Sequence, residues 1–112
     1  MAKKGRDKRR AEWTLTDELF EEIEDCFKTT AALVAIVGTN SNTWRKISDD
    51  DYVKKSVAKD ILHGFFEFLE KYKAGSVAPD SSKYHEKPIS TAIENYVDKK
   101  VSIDDLLVRK KD

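Results

Sequence analysis

At 112 residues the chain has room for one compact domain with short tails, held by only about 0.1 kcal/mol of net stability per residue. Hydrophobic residues are 39% and charged residues 38%, so a deep substrate cavity would compete with the core for the same large side chains. A small binding module or a multi-copy assembly fits the size better. Lysine plus arginine and aspartate plus glutamate both number 21, which excludes a uniformly basic coating protein.

That balance conceals a segregation. Residues 1–10 carry Lys3, Lys4, Arg6, Lys8, Arg9 and Arg10 against Asp7 alone. Residues 12–25 carry Glu12, Asp17, Glu18, Glu21, Glu22, Glu24 and Asp25 and no base. With no periodic apolar face, residues 1–12 read as a disordered basic arm. Thr14 or Thr16 then caps a first helix, Asp17 standing three residues after Thr14 as in a capping box. Leu15, Leu19, Ile23 and Phe27, with Phe20 beside them, form one stripe at helical spacing.

A short second helix over 29–37 is apolar nearly all round and stops at Gly38, a residue that accepts a left-handed backbone at little cost. Asn40 or Ser41 caps a third helix over 42–47. Asp49, Asp50 and Asp51 open the longest helix, expected over about 50–73. Its apolar positions are Val53, Val57, Ile61, Phe65, Phe68 and Tyr72, widened by Leu62, Phe66 and Leu69. Gly64 in its middle costs about 1 kcal/mol relative to alanine, which marks a bend or a close crossing of helices.

Residues 74–87 have the composition of a linker. Pro88 suits the first turn of a C-terminal helix bearing Ile89, Ile93, Tyr96 and Val97, and Ser102 with Asp105 caps a last short turn. No strand is expected. The fold class is therefore all-α: a small helical bundle with an N-terminal helix-turn-helix and a long central helix over 13–73. A linker over 74–87 leads to a C-terminal helix and tail over 88–112.

The segment over 30–47 fits a helix-turn-helix position by position. That motif needs a short helix, a glycine at the bend and a second helix that presents its outer face to the DNA major groove. Leu33 and Val37 are the inward residues of the first helix, and Trp44 and Ile47 those of the second. Asn40, Ser41, Asn42, Arg45 and Lys46 are left facing outward. Asparagine pairs bidentately with adenine and arginine with guanine, while Ser41 and Lys46 suit phosphate. Val34 and Ile36 are larger and more apolar than the motif usually has at those positions. The bases Lys3, Lys4, Arg6, Lys8, Arg9 and Arg10 would add sequence-independent affinity by displacing counterions.

The order of parts resembles the small terminase subunit of tailed phages, the DNA-recognition component of the packaging motor. The matching features are the basic leader, Trp13 and Thr14 entering the first helix, and the apolar helix over 31–37. Gly38 with Asn42, Thr43 and Trp44, the acidic break over 49–52 and the long helix over 53–72 complete the likeness. The resemblance spans residues 10–73. It implies recognition of double-stranded viral DNA in the host cytoplasm, assembly into a homo-oligomer, and docking of a C-terminal tail on the large terminase subunit.

The broad stripe of the long helix bears on assembly separately. Phe65, Phe66, Phe68, Leu69 and Tyr72 are candidates for an oligomer or partner interface, because each aromatic side chain buries on the order of 150–200 Å² when covered. The intramolecular alternative is that Ile89, Ile93 and Tyr96 fold back over them. No catalytic or cofactor constellation is evident, and no metal is expected. His63 and His85 lack a third ligand at metal spacing. The run Asp49, Asp50, Asp51 lacks the spacing and central glycine of a calcium loop and reads as a solvated helix start. Cys26 has no partner for an internal disulfide and sits beside the apolar stripe, so it reads as a small core residue. No apolar run reaches signal-peptide or membrane-spanning length, so a cytoplasmic protein without membrane contact is expected. The acidic first helix supports a rival function: a protein-binding adaptor, or a phage-encoded inhibitor of a host protein, that never touches DNA.

Overall fold

The structure is a computed structural model that describes residues 12–48, 52–77, 80 and 82–109. The basic residues of the N-terminal arm and the run Asp49, Asp50, Asp51 lie outside the described residues. The architecture is mostly helical. Strand β1 (Trp13–Leu15) is followed by helices α1 (Asp17–Asp25), α2 (Thr30–Val37), α3 (Ser41–Ser48), α4 (Lys55–Lys73) and α5 (Glu86–Ala92). A π turn over Ile93–Val97, a 3-10 turn over Ile103–Leu106 and strand β2 (Leu107–Arg109) complete the chain.

The strands correct the expectation of a purely helical chain. β1 pairs antiparallel with β2, Trp13 opposite Arg109 and Leu15 opposite Leu107. On its other side the Trp13 N–H donates to the Val53 carbonyl at 2.9 Å, and the Trp13 carbonyl accepts from the Val53 N–H at 2.8 Å. Trp13 and Thr14 therefore do not enter a helix. An aromatic and a β-branched residue suit a pleated surface, but three residues carry no readable alternation, and their main partner is at the far end of the chain. Leu15 reaches the core from the strand rather than from a helical stripe.

Helix boundaries follow their caps. The Thr16 hydroxyl accepts from the Leu19 N–H at 3.2 Å, and the Thr29 hydroxyl from the Ala32 N–H at 3.1 Å. Gly38 ends α2 in the left-handed conformation at φ 74°, its N–H donating to the Val34 carbonyl. The Asn40 side-chain oxygen accepts from the Thr43 N–H at 2.9 Å and so takes the cap of α3. Helix α4 starts at Lys55, later than the sequence suggests, because Val53 is drawn into the bridge with Trp13.

The core forms where α2 lies across α4. A methyl group at Gly64 would stand 2.7 Å from the Val37 carbonyl oxygen and 2.9 Å from its Cα, so the missing side chain is what lets the two backbones touch. Leu33 and Val37 from α2 meet Ile61, Leu62, Phe65 and Leu69 from α4, all buried, with Leu19 and Ile23 from α1 and Ile89 and Ala92 from α5 closing the sides. The end of the expected linker joins this core. The Lys28 N–H donates to the Lys83 carbonyl and the His85 N–H to the Cys26 carbonyl, both at 2.9 Å. Tyr84 lies 5.3 Å from the Phe68 ring and 5.9 Å from the Phe27 ring.

Candidate nucleic-acid interface

Two short helices joined at Gly38 build the site. A left-handed glycine turns the chain within the three residues Gly38, Thr39 and Asn40, so α3 begins beside the end of α2 instead of continuing it. Trp44 and Ile47 point into the core at 2% and 5% exposure, while Asn40, Ser41, Asn42, Arg45 and Lys46 are all exposed. The spacing explains the division: 44 and 47 share one face of a helix, 42, 45 and 46 share the opposite one, and 41 lies at the flank in the first turn. Asn40 plays a different part from the others, because its oxygen is committed to the helix cap. Val34 and Ile36 are half-buried on α2.

Trp44 is held at two points by α1. Its ring stacks on Phe20 with centroids 4.6 Å apart and planes 17° from parallel. Its indole Nε1–H donates to the Glu24 carboxylate at 3.0 Å. Neither Phe20 nor Glu24 stands out as a site residue in the sequence. The available signal is their spacing of four on α1, which puts a ring and an acceptor on one face.

The acidic helix is partly turned inward. Glu22 accepts from the Tyr96 hydroxyl at 2.5 Å and from the Asn95 amide at 3.4 Å, which ties α1 to the π turn. Burial, then the neighbouring Glu22 carboxylate, raises the pKa of Tyr96 above its ordinary value. Asp17, Glu18, Glu21, Glu24 and Asp25 remain exposed. Cys26 is fully buried, and burial, followed by Asp25 and Glu22, pushes its thiol from 9.0 up to about 12. It is thus protonated at neutral pH, packed as a small apolar side chain.

The aromatic stripe of α4 does not form an outward face. Phe65, Phe68 and Leu69 are buried within the single chain, and Phe66 and Tyr72 are half-buried. Phe66 stacks on Tyr96 at 5.7 Å, and Tyr72 meets Tyr84 edge-on at 6.4 Å. The C-terminal segment folds back against the stripe, so Phe65, Phe68 and Leu69 belong to the core of the single chain, while Phe66 and Tyr72 pack against that core and stay half-buried. His63 is exposed on α4, where it borders an open groove of about 640 Å³ with Lys59, Glu67 and Asp104. His85 is exposed at the start of α5. Among the described residues no group of three or more His, Cys, Asp or Glu side chains is arranged to hold a metal ion, and no helix is long and apolar enough to cross a membrane.

Compared with protein-family models, curated proteins and solved structures, the chain matches none.

Proposed function

We propose that the protein binds double-stranded DNA without catalysis, through a helix-turn-helix formed by α2, Gly38 and α3. One observation carries this reading: α3 buries Trp44 and Ile47 and leaves Asn42, Arg45 and Lys46 exposed on its opposite face. A helix anchored by its apolar side and presenting an amide, a guanidinium and an ammonium suits insertion into a major groove. Ser41, with the N-terminal bases Lys3, Lys4, Arg6, Lys8, Arg9 and Arg10, would contact phosphate. In the more specific form of the proposal the chain acts as a small terminase subunit does. It recognises viral DNA for packaging as a homo-oligomer and recruits the large subunit through its C-terminal tail.

Substitution of both Arg45→Ala and Lys46→Ala tests the first level. Affinity for duplex DNA in a low-salt electrophoretic shift should fall by about tenfold or more, with helical circular dichroism unchanged. Equal affinity for the double variant and the wild type sinks the reading. Sedimentation tests the second level, since a chain that stays monomeric at micromolar concentration removes the packaging analogy.

The exposed acids Asp17, Glu18, Glu21 and Asp25 on α1 support a second reading, in which this ridge docks on a basic protein surface. Glu18→Lys with Glu21→Lys separates the two. The reversal abolishes partner binding in the adaptor reading and leaves or raises DNA affinity in the first.

A further inference from the structure

We propose that Glu24 is a positioning residue for the exposed face of α3, acting through Trp44; the inference rests on the duplex-binding reading above. Phe20 fixes the plane of the indole by stacking at 4.6 Å, and Glu24 fixes its direction within that plane by accepting the Nε1–H at 3.0 Å. The two constraints come from one face of α1, and the tryptophan they hold is rooted in α3. Together they set the roll of α3 about its own axis. Apolar packing through Ile47 alone is non-directional and tolerates such a roll, whereas a hydrogen bond weakens steeply with misalignment.

Roll matters on the far side of the helix. Turning α3 by about 20° moves a point about 6 Å from its axis by about 2 Å. Recognition groups must be held to within about 0.5 Å of their productive geometry. A loosened Trp44 would therefore leave phosphate attraction intact and blur base readout by Asn42 and Arg45. The charge of Glu24 is not what performs this role: an amide oxygen in the same place accepts the same hydrogen bond.

The experiment selects duplexes from a random-sequence pool with the wild-type protein. It then measures the ratio of affinities for a selected duplex and for the unselected pool. Partial unfolding lowers both affinities together and leaves that ratio unchanged, so the ratio reports positioning. Glu24→Ala should reduce it by about tenfold, the upper end of the scale for losing one hydrogen bond. Glu24→Gln should retain the wild-type ratio. A wild-type ratio in Glu24→Ala overturns the inference, as does a loss in Glu24→Gln equal to that in Glu24→Ala. If Glu24→Ala does not fold, Phe20→Leu removes the stack while keeping the acceptor, and the same fall in ratio is required of it. A wild-type chain that binds the pool but loses nothing on Glu24→Ala defeats this inference alone. A wild-type chain that binds no duplex defeats the DNA reading and the inference together.

Discussion

Helices α1 and α3 are alike in length and amphipathicity, yet they treat their polar side chains in opposite ways. α1 commits two carboxylates to other elements: half-buried Glu22 takes the Tyr96 hydroxyl and the Asn95 amide, and Glu24, itself exposed, takes the Trp44 indole. α3 keeps Asn42, Arg45 and Lys46 on the outside and contributes Trp44 and Ile47 to the core. Charge pattern alone would have made α1 the interaction surface, with its many acids and no base. The difference teaches that an acid-rich helix can be structural where aromatic donors from other elements meet its carboxylates.

The comparison breaks most readily at Trp44. Trp44→Ala removes the ring from between α1 and α3 and should cost about 3–5 kcal/mol, read as a drop in the urea midpoint at unchanged slope. A loss below about 1 kcal/mol would mean that the two helices do not depend on this contact. Gly64→Ala is expected to cost about 1–3 kcal/mol despite the better helix propensity of alanine, because its methyl meets backbone rather than a movable side chain. Unchanged or increased thermal stability in that variant would show that α2 does not lie against α4 at this point.

The smallest effect sharpens the other side of α1. Tyr96→Phe removes the hydroxyl that Glu22 accepts and should cost about 1 kcal/mol, since both groups are only half-buried. It should also change the alkaline limb of stability. Tyr96 and Cys26 are acids whose pKa is raised on folding, so the folded chain keeps protons that the unfolded chain has lost. Stability therefore falls as pH rises past the ordinary values of 9.0 for the thiol and 10.0 for the phenol. Tyr96→Phe should flatten the fall above pH 10 and leave its onset near pH 9 in place, measured by denaturant titration at each pH.

The helices and most of the candidate site were legible in the sequence because their causes are local. Thr16 and Asn40 cap within three residues, and Gly38 turns where its own φ decides; the cap at Thr29, one residue outside the helix, is equally local but reads in the sequence as the helix start. The burial of Trp44 and Ile47 and the exposure of Asn42, Arg45 and Lys46 follow from spacing on one helix. Four features were not legible, each depending on residues far apart in the chain. β1 needs Val53 and β2 to become a strand. Tyr84 leaves an apparent linker to pack on Phe27 and Phe68. Phe65, Phe68 and Leu69 look like an interface until the C-terminal segment covers them. Glu24 looks like one solvated acid among several until Trp44 arrives beside it.

What the sequence determined alone is where the chain turns and which side of each helix is apolar, since capping hydrogen bonds and helical periodicity act over a few residues. What tertiary structure decided is which apolar and acidic groups remain available to a partner. That outcome depends on what the rest of the chain lays over them, and hydrophobic attraction is non-directional, so no local pattern specifies the cover.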